Sequence, residues 1–240
     1  MKAVISFHAI DTQSGPLSFS PKQFDQLLDA LRRSDTPILP LDELLSPEAK
    51  GGVALTFDDG IDSVYSSGLP ILRNYEAPAH LFLTTAFVAG NNRWPGQPDY
   101  ARHYNMLNWS QIEKLHASNV AIEAHTATHP DLRQCDEQRT QEEFRASDAE
   151  IERKLGRKPR FFAYPYGFFD RRVAEMAAAH YEACVTTELS YLPICVERSM
   201  VPRLDSHYLR STLLMRNLGH PAAVLYISLR AMVRQVLGRT

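Results

Sequence analysis

Short apolar or β-branched runs alternate with longer segments of helical period along this chain, and this alternation constrains its fold most. It predicts a mostly parallel α/β sheet rather than a sandwich or a helical bundle. A chain of 240 residues, 44% of them hydrophobic, is long enough to close such a sheet into one barrel-sized domain. The runs predicted as strands are 2–7, 53–57, 79–85, 120–125, 160–164, 182–187 and 199–204.

Capping residues predict two of the intervening helices well. Ser20 and Pro21 begin a helix over 20–33 that carries an apolar face, because serine caps a helix and proline fits its first turn. Gly156 ends a charged helix over 136–156. A further helix is predicted around 62–74. We find no repeat or linker, so residues 1–240 are predicted to form a single domain.

Charge and cysteine content exclude several classes of protein. The formal net charge of −2 gives no reason to expect a nucleic acid partner. Cys135, Cys184 and Cys195 lack any CxxC spacing, so we expect reduced, partly buried thiols. The first residues do not resemble a secretory signal, and no apolar run reaches transmembrane length. The protein is therefore expected to be cytoplasmic.

Unusual polar residues follow the predicted strands. His8 follows the first, Asp58 and Asp59 follow 53–57, and His125 closes 120–125. In a parallel barrel the carboxyl ends of the strands converge on one face, where such folds place their active sites. Residues far apart in sequence are therefore expected to share one pocket.

The spacing of two histidines favours a metal site within that pocket. His125 and His129 form an HxxxH pattern, which alone is as compatible with solvent-facing side chains as with an ion. The adjacent carboxylates Asp58 and Asp59 could alone be an acidic turn or a helix cap. Two imidazoles and one carboxylate suit a zinc hydrolase or a non-haem iron oxygenase. A second carboxylate favours hydrolysis, because it can take a proton from water.

The motifs "TFDDG", "HTATH" and "FFAYPYG", in this order, resemble those of the polysaccharide deacetylases of carbohydrate esterase family 4. The resemblance extends from residue 2 to about 205. It implies a distorted (β/α) barrel that removes N- or O-acetyl groups from sugars with a divalent metal ion, most simply Zn²⁺, with Co²⁺, Ni²⁺ or Mn²⁺ as alternatives. It also implies that Asp58 is the general base, that Asp59, His125 and His129 hold the ion, and that Thr126 steadies the second motif.

The third motif departs from the family. Ala163 stands where some members carry an arginine that orients the base. Arg203, near the end of a later predicted strand, is a candidate substitute because a guanidinium group can grip a carboxylate from several directions; the alternative is an ordinary surface arginine. The backbone N–H of Tyr166 is expected to stabilise the oxyanion, with its ring lining the pocket.

The family's final motif, a Leu-x-His that supplies the general acid, has no clear match near the carboxyl end. His8 follows an apolar strand at the amino end, and a closed barrel makes its first strand a neighbour of its last. We therefore predict that His8 is the general acid, with the acid-bearing strand moved to the amino terminus. The alternative is a structural histidine.

The resemblance implies an acetylated saccharide as substrate, and we expect a cytoplasmic precursor that could be nucleotide- or lipid-linked. The aromatic residues around the loop 89–107 suit either a sugar ring or a packed loop: Trp94, Tyr100, Tyr104 and Trp109. A metal-containing glycan-binding domain with impaired catalysis is the alternative function. A phosphohydrolase is disfavoured because the chain lacks DxD and GxxxxGK motifs. The sequence does not define an oligomeric state.

Residues 206–240 form a basic carboxyl-terminal segment predicted to be helical. It contains no acidic residue but includes Arg210, Arg216, Arg230, Arg234 and Arg239. The stretch 221–239 could lie on an anionic membrane, at the inner face. The favoured alternative is a final barrel helix with its arginines outward.

Overall fold

A closed barrel of parallel strands forms the centre of the protein. The computed structural model describes residues 1–97 and 102–236, so the predicted contribution of Tyr100 lies outside the described residues. The strands are β1 (Lys2–Phe7), β2 (Ala9–Ile10), β3 (Ser18–Phe19), β4 (Gly52–Phe57), β5 (Ala79–Leu83), β6 (Val120–Ala124), β7 (Phe161–Ala163), β8 (Ala183–Leu189) and β9 (Val201–Asp205). The barrel closes in the order β1, β4, β5, β6, β7, β8 and β9, while β2 pairs with β3 beside it. The predicted barrel is confirmed.

The closure of the barrel depends on β1, which lies between β4 and β9. Its whole length pairs in register with β4, from Lys2 opposite Gly52 to Phe7 opposite Phe57. On its other side, Ser6 pairs with Asp205 of β9. The first and last barrel strands are therefore neighbours, as the sequence predicted.

Helices surround this barrel, and several begin or end at the residues expected from the sequence. Ser20 accepts a hydrogen bond from the Gln23 backbone N–H at the start of α1, and Gly156, with φ 72°, ends α5. The α-helices are α1 (Pro21–Arg33), α2 (Leu41–Leu44), α3 (Leu69–Asn74), α4 (Trp109–His116), α5 (Glu137–Leu155), α6 (Arg171–His180), α7 (Thr212–Arg216) and α8 (Pro221–Val236).

Two of the predicted elements whose bounds differ in the structure lie close to the candidate site. The helix expected over 62–74 consists of a π-helical turn at Val64–Gly68 followed by α3. Strand β5 ends at Leu83 instead of residue 85. It ends early because the Thr84 N–H donates to the Asp59 carbonyl and the Thr85 N–H donates to the Thr126 carbonyl. The backbone thereby leaves the barrel to support the loops that carry the candidate site.

Apolar side chains fill both sides of the barrel wall. Phe7 and Phe57 stack at 5.4 Å between ring centroids, and Phe24 of α1 packs against both. These contacts join α1 to the first two barrel strands, because aromatic rings bury large apolar areas. A separate cluster, which includes Phe82 and Phe161, packs with Leu41 and Leu44 of α2.

The cysteines are free, as expected, but their burial differs from the prediction. Cys184 is buried and Cys135 is partly buried, whereas Cys195 is exposed. Cys195 lies in the segment between β8 and β9, which leaves the barrel wall. The prediction of partial burial is therefore wrong for Cys195, which is exposed, and for Cys184, which is fully buried.

Helix α8 is apolar on two opposite faces. Ala223 and Ile227 are buried against the rest of the protein, while Leu225, Leu229 and Met232 are exposed. Arg234 is largely buried, with its Nη1 3.9 Å from Asp205 Oδ2. The expectation that the arginines of this helix point outward is therefore wrong for Arg234, because it faces the last acidic residue of the chain. Within the described residues, every helix is too short or too polar to cross a membrane.

Candidate active site

Side chains that follow three strands, together with one side chain from β9, meet at one end of the barrel. His8 follows β1, Asp58 and Asp59 follow β4, and His125 follows β6. Arg203 comes from β9 and completes the group through its contact with Asp58. The structure thus brings together residues that the sequence separates by up to 195 positions, since parallel strands present their carboxyl ends on one face.

Asp59, His125 and His129 form a compact buried group of possible metal ligands. Asp59 Oδ1 lies 3.4 Å from His125 Nε2 and 3.5 Å from His129 Nε2, and the two Nε2 atoms are 3.2 Å apart. All three residues are buried, and one ligand atom from each lies within 4.8 Å of the others. One carboxylate and two imidazoles in this arrangement suit a divalent cation with open coordination positions.

Protonation in the protein suits this group to a cation. His125 Nδ1 lies 2.7 Å from the Ala163 carbonyl and donates to it, which turns Nε2 toward Asp59 and His129. Burial, reinforced by the charge of His125, lowers the pKa of His129 to about 3, so His129 is neutral. Burial opposes ionisation of Asp59, but hydrogen bonding by His125 and the charge of His8 outweigh it and lower the pKa of Asp59. The donor atoms therefore fit a divalent ion.

Arg203 grips Asp58 through two hydrogen bonds. Nη1 donates to Oδ1 and Nη2 donates to Oδ2, each at 2.8 Å, and both side chains are buried. Burial opposes ionisation of Asp58, but the charge and hydrogen bonds of Arg203 outweigh it and lower the pKa of this carboxyl group. The alternative of an ordinary surface arginine is wrong, because Arg203 is 2% exposed.

The Arg203 guanidinium group makes two further hydrogen bonds. Nε donates to the Thr186 carbonyl at 2.8 Å, and Nη1 also contacts Thr56 Oγ1 at 3.2 Å. Ala163, which the resemblance places where some family members carry an arginine, ends β7 and is fully buried. The guanidinium group therefore reaches Asp58 from β9 rather than from β7.

His8 lies beside the same carboxylate. Its Nε2 is 3.9 Å from Asp58 Oδ2, and its side chain is 28% exposed while that of Asp58 is 5% exposed. A histidine in this position can reach both the buried carboxylate and a ligand that enters from solvent. The strand at the amino terminus therefore brings an imidazole to the place predicted from the sequence.

The loop that carries the two histidines has a fixed and unusual backbone. Thr126 Oγ1 donates to the His125 carbonyl at 2.5 Å and accepts from the His129 N–H at 3.0 Å. Thr126, His129 and Asp59 have φ values of 63°, 58° and 73°. Residues other than glycine rarely adopt this left-handed region, and such strain clusters at functional sites.

Tyr166 lies in a tight turn after β7. Its φ is 59°, and the next residue, Gly167, has φ 71°. A Cβ atom at Gly167 would lie 1.9 Å from Thr187 Oγ1, so only glycine fits there. The Tyr166 ring lies 4.4 Å from that of His129, and burial raises the pKa of Tyr166 to about 12. Its hydroxyl group therefore remains protonated.

Sequence reasoning missed Glu143, which supports the histidine loop from α5. Its Oε2 accepts from the backbone N–H groups of Ala127 and Thr128 at 2.9 and 2.8 Å, and its Oε1 accepts from Thr128 Oγ1 at 2.6 Å. Arg139 donates to the same carboxylate at 2.5 Å. An acidic residue within a strongly charged helix carried no signal that distinguished it from its exposed neighbours.

Replacing Glu143 by alanine is expected to lower the free energy of unfolding by about 3 kcal/mol, because two buried N–H groups lose their acceptor. Glu142→Ala is the matched control, since Glu142 is 52% exposed on the same helix, and its effect should stay within about 0.5 kcal/mol. Urea unfolding of both variants measures the difference. Equal effects would contradict a supporting role for Glu143.

The aromatic residues of the long loop pack within the protein. Trp94 is buried with its ring 4.2 Å from that of His129. The Tyr104 hydroxyl group hydrogen-bonds with Ser18 Oγ at 3.0 Å. Trp109 begins α4, and Lys154 Nζ lies 5.4 Å from its ring centroid. The sequence left two alternatives for these aromatic residues, contact with a sugar ring or packing within the protein. Tyr104 and Trp109 follow the second alternative.

The closed barrel and the Asp-His-His group together define an α/β barrel with a candidate metal site at the carboxyl ends of its strands. The family model for polysaccharide deacetylases matches residues 46–183, which is more than half of the chain. The chain therefore belongs to the polysaccharide deacetylase family, and the resemblance seen in the sequence is confirmed.

Individual relatives agree with this assignment. A poly-beta-1,6-N-acetyl-D-glucosamine N-deacetylase of Staphylococcus aureus is 26% identical over 169 residues, which cover 64% of this chain and 55% of that protein. The chain thus spans about half the length of this curated relative.

Solved structures also resemble the protein. IcaB from Ammonifex degensii superposes with a TM-score of 0.72 at 25% identity, covering 89% of this chain and 96% of that one. A Streptococcus pyogenes deacetylase, PplD, solved in complex with acetate, gives a TM-score of 0.74 at 24% identity over 85% of this chain and 91% of its own. The match to PplD shows a shared fold.

Proposed function

We propose that the protein is a metal-dependent hydrolase that removes the N-acetyl group from an amino sugar within a saccharide. One observation carries the proposal: the buried group of Asp59, His125 and His129 lies next to a second carboxylate, Asp58, and a partly exposed histidine, His8. Ligand, base and acid functions are thereby available at one end of the barrel. A glycan-binding domain without catalysis would not require Asp58 to be held by Arg203.

In this proposal Asp59, His125 and His129 hold the ion, and Zn²⁺ suits their nitrogen and oxygen donors best. A divalent cation bound there supplies Lewis acidity toward a carbonyl group and lowers the pKa of water. The residues of the chain transfer the protons and help to stabilise the oxyanion.

Asp58 takes the proton from the attacking water, because its carboxylate is ionised and retains lone pairs beyond those used by Arg203. The backbone N–H of Tyr166 donates to the oxyanion that forms at the acetyl carbonyl. His8, beside Asp58 and open to solvent, gives a proton to the departing nitrogen. Products are free acetate and the amine.

The substrate class follows from the relatives. The Staphylococcus aureus relative is a poly-beta-1,6-N-acetyl-D-glucosamine N-deacetylase, so β-1,6-linked N-acetylglucosamine oligomers are the first candidates. Acetate release from these oligomers, from chitin oligomers and from O-acetylated xylan tests the proposal. We expect release from an N-acetylated substrate after zinc loading; release from none of the three would contradict the proposed function.

Arg203→Lys should lower kcat by about 10²-fold, because lysine keeps the charge but cannot grip both oxygens of Asp58. Zinc content should remain unchanged. Arg198→Lys is the control, since Arg198 is exposed and its guanidinium donates a long hydrogen bond to the Leu45 carbonyl, at 3.5 Å. Steady-state acetate release measures both variants. Unchanged turnover in Arg203→Lys would show that Arg203 does not orient Asp58.

We further propose that α8 contacts an anionic lipid surface. Exposed apolar residues recur at spacings of three or four along this helix: Leu225, Leu229, Met232 and Val236. These side chains form an apolar face that meets solvent on the side of the helix opposite the buried Ala223 and Ile227. Residues 206–236 contain no acidic residue, and the exposed Arg216 and Arg230 suit anionic headgroups; residues 237–239 of the predicted contact lie outside the described residues.

Co-sedimentation with phosphatidylglycerol vesicles tests this contact. The double variant Leu229→Glu, Met232→Glu should lose at least about 10-fold in partitioning, because buried charge opposes insertion of the apolar face. Ile194→Glu is the matched control, since Ile194 is a fully exposed apolar residue outside α8. Equal partitioning of both variants, or none by the unmodified protein at low salt, would contradict the contact.

A lipid- or nucleotide-linked substrate precursor also stays a proposal, which the same acetate assay tests with lipid-linked N-acetylglucosamine. The cytoplasmic location remains a prediction, and fractionation of cells that express the protein tests it.

A further inference from the structure

We infer that Trp94 is a positioning residue for the metal site and that its indole ring holds the His129 imidazole in its ligating orientation. The inference rests on the metal site of the proposed function. It adds a residue of the 89–97 loop, which none of the three family motifs includes.

The two candidate histidine ligands are held in different ways. His125 is fixed by the hydrogen bond between its Nδ1 and the Ala163 carbonyl. For His129, the described residues supply no hydrogen-bond partner to Nδ1, although this atom is buried. Metal-binding histidines are normally oriented by a hydrogen bond at the nitrogen that does not bind the ion. The orientation of His129 must therefore come from packing.

Two aromatic rings provide that packing. The Trp94 ring lies against His129 with 4.2 Å between centroids and an interplanar angle of 31°. The Tyr166 ring meets the imidazole nearly at right angles, with 4.4 Å between centroids and an angle of 75°. A broad face and an edge contact together restrict rotation of the imidazole. Trp94 supplies the broad face.

Trp94 is itself firmly placed. Its ring packs edge-on against Phe87 at 5.5 Å. The Asn92 side chain, two residues before it, accepts from the Tyr104 N–H at 2.7 Å and donates to the Arg102 carbonyl at 3.0 Å. The Ala89 N–H donates to the Leu107 carbonyl at 2.8 Å, and the Leu107 N–H donates to the Gly60 carbonyl at 2.8 Å, which ties this loop through Leu107 to the residue after Asp59. The loop thus links both parts of the ligand set.

Competition with a chelating dye tests this role. It measures the zinc affinity of Trp94→Leu and of Trp94→Phe. Leucine keeps apolar volume without an aromatic face, whereas phenylalanine keeps a ring. Loss of an orienting partner typically weakens metal binding by about 10–100-fold, which we expect for Trp94→Leu. Trp94→Phe should lie within a few-fold of the unmodified protein. Equal affinity of the leucine variant and the unmodified protein would overturn the inference.

A second measurement avoids any change at Trp94. The chain contains two tryptophans, so Trp109→Phe leaves Trp94 as the source of indole fluorescence. Because the Trp94 ring contacts His129, zinc should change its emission and Co²⁺ should quench it strongly, each saturating at one equivalent. If the fluorescence of the Trp109→Phe protein did not change at saturating metal, the inference would be overturned. This result would hold even if Trp94→Leu failed to fold.

These results separate the two proposals. If the unmodified protein binds no divalent ion at all, the proposed metal site fails. If it binds zinc and Trp94→Leu binds zinc equally well, only the role of Trp94 fails. The visible spectrum of the Co²⁺ protein gives a third readout: Trp94→Leu should alter its band shape, because a freely rotating imidazole changes the ligand geometry, and an unchanged spectrum would count against the role.

Discussion

Asp58→Asn is expected to lower kcat for acetate release by about 10²–10⁴-fold while zinc content stays unchanged. Asparagine has the shape of aspartate but cannot take a proton from water. It also places an amide NH₂ group against Arg203, which now donates to both oxygens of Asp58. Steady-state kinetics together with metal analysis of the same sample separates loss of the base from loss of the ion.

Asp62→Asn provides the control for this variant. Asp62 lies four residues after Asp58 and accepts a hydrogen bond from Gln111 Nε2 at 2.6 Å. The side-chain oxygen of an asparagine can accept the same hydrogen bond. Its activity should remain within about twofold of the unmodified protein. Near-normal turnover in Asp58→Asn would show that Asp58 is not the base.

Asp59→Ala is expected to abolish zinc binding and, with it, turnover. Asp59 supplies the one carboxylate of the three-residue ligand group, and two imidazoles alone hold zinc weakly. A ligand that binds the folded protein at 1,000 times its dissociation constant stabilises it by about 4 kcal/mol. Thermal unfolding with and without zinc should therefore show a clear shift for the unmodified protein and none for Asp59→Ala.

Asp58→Asn serves as the matched comparison in that experiment, because it alters the neighbouring carboxylate without removing a proposed ligand. It should keep the zinc-dependent shift. If Asp59→Ala kept the full shift, or if both variants lost it, the division of the two carboxylates into ligand and base would be wrong.

Hydrophobic patterning predicted the barrel and the face on which the site lies. Strands such as 2–7 and 53–57 were recognisable because both faces of a parallel strand are buried and its sequence is continuously apolar. The polar residues that interrupt these runs, His8, Asp58 and His125, then had to lie at strand ends. A closed parallel barrel places those ends together, and the structure does so.

Individual side-chain contacts were beyond sequence reasoning alone, although the sequence predicted that the first and last barrel strands are neighbours. Arg203 reaches Asp58 because β9 lies beside β1, an adjacency that only barrel closure creates. The guanidinium was thus a candidate in the sequence, but its two hydrogen bonds were not predictable. Glu143 binds the backbone of the histidine loop, and Trp94 contacts the ring of His129. Neither contact follows from a fixed spacing of residues along the sequence. Side-chain packing of this kind requires coordinates.

Anomalous diffraction from zinc-loaded crystals tests the central claim most directly. The account predicts one zinc peak enclosed by Asp59 Oδ1, His125 Nε2 and His129 Nε2, with the Asp58 carboxylate beside it and still paired with Arg203. A zinc peak elsewhere in the molecule, or no peak at these three atoms when zinc is saturating, would contradict the account.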